Sequence, residues 1–174
     1  MKITTDDPRL IEVTKERLAV TRIEKALLDY PMVVLSGPRK VGKTVALLQM
    51  AIKTENAEYL DCGVPEDAAE LERIFHSRVS VLLLLDEIQK LKRCHDWVSY
   101  LAHKAQITST FRVIITGSVA ACMEILARGK AGGGRSKYVH IPIITYLEYL
   151  YLTNKITGYD TNLLQTDYGD SFYD

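Results

Sequence analysis

The chain has 174 residues, 47% hydrophobic and 25% charged, with 22 Lys plus Arg balanced by 22 Asp plus Glu. These are the values of one globular domain with a full core, and they argue against disorder, a fibrous class and a charge-driven grip on nucleic acid. The longest fully apolar run, Val81 to Leu85, is far too short to span a bilayer, and the opening MKITTDDPRL lacks the apolar core of a secretion signal.

Residues Thr14 to Tyr30 read as a helix, with Leu18, Ile23, Leu27 and Tyr30 near helical spacing and Pro31 ending it. Met32 to Ser36 is a short apolar strand leading straight into GPRKVGKT, and a helix follows from about Lys43 to Lys53. A brief strand at Glu58 to Asp61 precedes a helix that opens on Pro65, Glu66 and Asp67 and runs to Phe75. Val79 to Leu85 is apolar except for Ser80, the pattern of a strand buried on both faces, and it ends in Asp86 and Glu87. Asp96 to about Gln106 is helical, and Phe111 to Thr116 is a fourth strand ending in TGS. Ser118 is placed to cap a helix running to about Arg128. A glycine-rich loop follows, then a fifth strand from Tyr138 to Ile143, with Pro142 marking an edge or an early end. Thr145 and Glu148 form a T-x-x-E capping box for a last helix, about Tyr146 to Tyr151. Strands alternating with helices predict a three-layer α/β sandwich around a mainly parallel five-stranded sheet. Residues 1–30 form an N-terminal segment and helix, 31–152 the core, and 153–174 a polar tail expected to begin a further C-terminal region.

Chemistry concentrates in GPRKVGKT, which meets G-x-x-x-x-G-K-[ST] at Gly37, Gly42, Lys43 and Thr44. Glycines at those positions permit backbone angles that aim successive N–H groups at phosphate oxygens, and the helix behind adds its positive end. The backbone of Gly37, Pro38, Arg39, Lys40, Val41, Gly42, Lys43, Thr44 and Val45 is therefore the candidate cradle for ATP. Lys43 is expected on the β- and γ-phosphates and the Thr44 hydroxyl on Mg²⁺, while the side chains of Arg39 and Lys40 are expected to be exposed. The VLLLLDE run delivers Asp86 to a strand end, where a carboxylate can hold Mg²⁺, with Glu87 beside it as a candidate base for an attacking water. The bland alternative is an acid pair starting a helix. Thr116 and Ser118 are candidate contacts to the γ-phosphate or the water, or Ser118 serves only as a cap. Arg135, after three glycines and near Arg128, Lys130 and Lys137, is a candidate arginine finger, in cis or from a neighbouring copy, or part of a solvated basic loop.

Cys62, Cys94 and Cys122 are odd in number and widely spaced, as in reduced structural thiols of a cytoplasmic protein. Trp97 reads as a core anchor, and His76, His95, His103 and His140 have no ligand spacing.

With the phosphate loop, VLLLLDEIQK, DW, RVIITGS, GR and IPIITYLEYL in that order, the sequence resembles the AAA-type ATPase core of a widespread prokaryotic group of ATP-binding proteins, over roughly Val33 to Leu152. The resemblance implies ATP at Gly37 to Thr44, metal near Asp86 and catalysis through Glu87. It also implies Thr116 or Ser118 as a γ-phosphate sensor, and Arg135 as a sensor or finger, although the usual GR is expanded here to GGGR. It further implies an additional-strand P-loop core in which the TGS strand separates the Asp86 strand from the first strand. Two uses of such a core are expected: a slow ATPase driving a conformational change, or a nucleotide-gated switch acting on a protein partner or a C-terminal effector domain. A small-molecule kinase lacks a recognisable acceptor pocket, and a DNA-associated ATPase is not encouraged by the zero net charge.

Overall fold

The computed structural model describes Pro8 and residues 15–76, 81–117 and 136–157. Its elements run α1 (Leu18–Asp29), β1 (Met32–Ser36), α2 (Lys43–Lys53), β2 (Ala57–Asp61), α3 (Pro65–His76) and β3 (Val81–Asp86). A 3-10 turn (Ile88–Lys90), α4 (Cys94–Ile107), β4 (Phe111–Thr116), β5 (Ser136–His140) and α5 (Tyr146–Leu152) complete the order. The strands form one sheet in the order β2-β3-β4-β1-β5, and every pairing is parallel. The β4 strand thus lies between β1 and β3, as the family resemblance implies.

Alternation along each strand sends successive side chains to opposite faces. Val33 and Leu35 of β1, with Leu82 and Leu84 of β3, pack against Ile23 of α1 and Leu47 of α2. Met32 and Val34, with Leu83 and Leu85, pack instead against Leu71 of α3 and Leu101 of α4. Burial on both faces explains why β3 is apolar at every position but its last, and why α1–α2 and α3–α4 form separate layers.

Several boundaries differ from the sequence reading. The first helix begins at Leu18, with Lys15 to Arg17 outside it. The backbone N–H of Arg17 donates to Gln49 Oε1 (3.1 Å) and its side chain caps nothing locally, so a tertiary contact sets this start. Tyr30 is extended ahead of Pro31, which ends the helix at Asp29. The α4 helix starts at Cys94, two residues earlier than expected, because Arg93 turns left-handed at φ 57° and pairs its guanidinium with Asp96 at 2.6 Å. The fifth strand is shifted back to Ser136–His140: the N–H of Ile141 makes the last bond, to Ser36 O at 2.8 Å, and Pro142 has no N–H to continue. Only half of the T-x-x-E box forms. Thr145 Oγ1 accepts from the Glu148 N–H at 3.2 Å, while the Glu148 carboxylate turns away to Arg17. The helix expected after Ser118, and the start of the third strand at Val79, lie outside the described residues.

Arg112 ties β4 to the end of α1, its Nη1 donating to Leu27 O at 2.7 Å and Tyr30 O at 3.4 Å. A charged donor on helix-terminal carbonyls contributes about 1.5–3 kcal/mol. Arg112→Ala is therefore expected to lower the free energy of urea unfolding by about that amount, with an unchanged midpoint as the contrary result.

Candidate functional site

In an all-parallel sheet the C-terminal strand ends share one edge, where ligands of open α/β sheets gather. That edge brings together the loop after β1, Asp86 at the end of β3 and Thr116 at the end of β4.

The loop is shaped from both sides. Gly37 has φ 148° and Gly42 φ 89°, values that favour glycine. A methyl group on Gly37 would lie 2.4 Å from the Ile141 carbonyl, and one on Gly42 would lie 2.2 Å from Arg17 Nη1. Lys40, between them, is also left-handed at φ 63°. Pro38, Arg39 and Lys40 are exposed and Val41 is buried, in agreement with the expected exposure of the Arg39 and Lys40 side chains. Lys43 is buried at the first position of α2, and its Nζ donates to Gly37 O (2.9 Å) and Pro38 O (2.8 Å), closing the loop on itself. Burial pushes the Lys43 ammonium below its ordinary pKa, against the opposing pull of Glu87 and then Asp86. Val45 follows in α2, half-buried against the core.

Asp86 is only 3% exposed, and three hydroxyls from three elements donate to it. Thr44 donates to Oδ2 at 2.6 Å, Tyr59 donates to the same oxygen at 3.1 Å, and Thr116 donates to Oδ1. Thr116 Oγ1 also accepts the Glu87 N–H at 3.1 Å. Glu87 is left-handed at φ 56°, unusual for a side-chain-bearing residue, and its Oε2 accepts from Gln89 Nε2 at 2.7 Å. Instead of starting an α-helix, the Asp86–Glu87 pair leads into a single 3-10 turn.

The structure thus brings Thr44, Asp86, Glu87 and Thr116 into one hydrogen-bonded group beside the loop. Ser118 and Arg135 lie outside the described residues. Sequence reasoning missed Tyr59, Gln89 and Arg17. Tyr59 was visible as a hydroxyl-bearing residue in the short second strand, and Gln89 as part of DEIQ, whereas nothing local marks Arg17. The four histidines are exposed, Trp97 packs edge-on against Phe75 at 5.7 Å, and Cys62 is buried. No group of three or more His, Cys, Asp or Glu suited to a metal occurs among the described residues.

The AAA domain profile matches residues 29–150, more than half of the chain. The chain belongs to the AAA domain family. This AAA domain also shares its fold with a Walker-type ATPase of Pyrococcus abyssi, at TM-score 0.61 and 13% identity, covering 89% of this chain and 60% of that one. A DNA replication initiation factor aligns at TM-score 0.51 and 16% identity, over 80% of this chain and 49% of that one. The chain therefore spans less than two thirds of either protein. No curated protein matches the sequence. Family and fold together make this a P-loop ATPase domain of the AAA type. No helix among the described residues is long and apolar enough to cross a membrane.

The burial of Cys62 beside these acids has a consequence for its reactivity. Burial, followed by the charges of Asp61, Asp86 and Asp67, pushes the Cys62 thiol up to about 12. Thiolate is the reactive form, so iodoacetamide at pH 8 should label Cys62 at least ~100-fold more slowly in the native chain than in urea. Peptide mass mapping checks this, and equal rates would contradict the described burial.

Proposed function

We propose that this domain binds ATP with Mg²⁺ at residues 37–45 and hydrolyses it slowly, the turnover gating a conformational change. The observation that carries the reading is the 2.6 Å contact between Thr44 and Asp86. It joins the hydroxyl that closes the loop motif to the carboxylate that ends β3, two oxygen donors of the kind a Mg²⁺–phosphate site uses. The glycine conformations at 37 and 42 and the buried Lys43 supply the other half of the fit: backbone N–H groups and one ammonium for an anionic chain of phosphates.

In this reading Thr44 and Asp86 hold the metal, which when bound neutralises phosphate charge. The Lys43 ammonium leaves its carbonyl partners for phosphate oxygens. The Glu87 carboxylate, aimed by Gln89, accepts a proton from water as its oxygen attacks the γ-phosphorus. The bond to the bridging oxygen breaks, ADP leaves, and the proton passes on to phosphate or solvent. Thr116 serves by bridging Asp86 and the Glu87 backbone. Ser118 and Arg135 remain candidates for the γ-phosphate side, with Arg135 acting in cis or across a homo-oligomer. The gated output would pass to a protein partner or effector domain of a cytoplasmic protein.

Two substitutions separate binding from turnover. Lys43→Ala should weaken ATP binding in calorimetry by on the order of 2–3 kcal/mol, the value of charge-assisted bonds lost in a low-water site. Glu87→Gln should bind ATP as the wild type does while phosphate release falls ~100-fold or more. Unchanged affinity in the lysine variant would sink the site assignment. Equal, non-zero turnover in the glutamine variant would remove Glu87 from the chemistry.

A further inference from the structure

Arg17 and Glu148 are 131 residues apart in sequence and meet in the interior, at 4% and 3% exposure. Arg17 Nε donates to Glu148 Oε1 at 2.8 Å and Nη2 to Oε2 at 3.4 Å. The remaining arm, Nη1, donates to the Val41 carbonyl at 2.6 Å, inside the phosphate loop. The Leu18 N–H adds a contact to Glu148 Oε1 at 3.4 Å. The α2 helix holds the same stretch through Gln49, which accepts the Arg17 N–H and donates to Lys15 O at 3.0 Å. Lys15 in turn lies 4.2 Å over the Tyr151 ring and donates to Ile156 O at 3.3 Å, touching the far end of α5.

Arg17 contributes more here than a buried pair's own stability, which is often small once desolvation is counted. A trans peptide plane points its C=O and N–H in opposite directions. With the Val41 carbonyl fixed on Arg17, the Gly42 N–H must point away from it. Arg17 therefore sets the orientation of one of the loop's anion-facing donors. Its guanidinium also lies where a Gly42 side chain would be. Because the same planar group is forked onto Glu148, that orientation depends on α5 being docked. Lysine offers no such fork and cannot reproduce both contacts.

We propose that Arg17 and Glu148 are positioning residues for the nucleotide and couple occupancy of the loop to docking of α5. The inference rests on the reading of residues 37–45 as the ATP site. Coupling of this kind is reciprocal: if a docked α5 improves nucleotide affinity, bound nucleotide must stabilise the docked α5 by the same factor.

The test uses the whole chain, with ADP·Mg²⁺ and a non-hydrolysable ATP analogue as probes. Calorimetry measures affinity, and hydrogen exchange follows backbone amides 146–152. In the wild type, nucleotide should slow exchange across α5, by a factor within the ~5–150-fold range of typical couplings. Arg17→Lys and Glu148→Gln should weaken nucleotide binding by a comparable factor and abolish the nucleotide effect on α5. Arg112→Ala, which loosens the fold without touching the loop, should keep wild-type affinity, so a purely structural role would not reproduce the pattern. Wild-type binding with unchanged exchange at 146–152 overturns the coupling and leaves the ATP site standing. Equal affinity in wild type and Arg17→Lys does the same. A wild type that binds no nucleotide overturns the site and the coupling together. If neither variant folds, the wild-type exchange measurement alone decides.

Discussion

A carboxylate buried at the end of an apolar strand is the constraint on which the rest of this site depends. Five buried apolar residues carry β3 between β2 and β4, and the sixth is Asp86. Removing a carboxylate from water costs several kcal/mol unless hydrogen bonds replace the lost solvation. The replacement comes from Tyr59 on β2, Thr116 on β4 and Thr44 on α2. Two of these donors sit on the strands flanking β3, and the third sits on the helix that leaves the phosphate loop. Satisfying one buried charge therefore fixes four elements relative to one another. It also leaves the Thr44 hydroxyl and the carboxylate side by side, the pair on which the proposed Mg²⁺–phosphate site rests.

The loop itself is not self-sufficient. Its two motif glycines are needed for their φ values, but each is also pressed by a distant part of the chain, Gly37 by the residue after β5 and Gly42 by the side chain just before α1. The first contact follows from the sheet order: β5 pairs in parallel beside β1, so the chain leaving β5 must pass the start of the loop. The second follows from the placement of α1 against α2, in the same layer. A motif readable in eight residues is thus held in shape by elements more than a hundred residues apart.

This division explains what could be read from the sequence. The bounds of β1, α2 and β4 were legible because their signals are local: apolar runs closed by glycine, proline or a change of period. Thr44, Asp86 and Glu87 were legible as a set because motif and strand-end acid have a chemical reason to occur together. The β5 bounds were not, since an edge strand alternates weakly and its only buried residue is Val139. The pairing of Arg17 with Glu148 was not legible at all. Arg17 follows Lys15 and Glu16, and Glu148 stands among tyrosines and leucines; for either, a solvated surface position is the ordinary outcome, and only the three-dimensional arrangement reveals the partner. In the same way, the T-x-x-E spacing was read as a local cap, but Glu148 gains more from a buried guanidinium than from its own helix end.

The left-handed turn at Glu87 has its reason in the geometry of strands. Adjacent residues of an extended strand point to opposite faces, so a strand continuing through Asp86 and Glu87 would separate the two carboxylates across the sheet. Ending β3 at Asp86 and turning the backbone at Glu87 breaks that alternation. Both carboxylates then act on the same ammonium, since Glu87 and Asp86 each oppose the effect of burial on Lys43. The left-handed conformation is costly for a residue with a side chain, and the Thr116 hydroxyl offsets part of that cost by accepting the Glu87 N–H while donating to Asp86. A single oxygen atom therefore links the backbone of one acid to the carboxylate of the other.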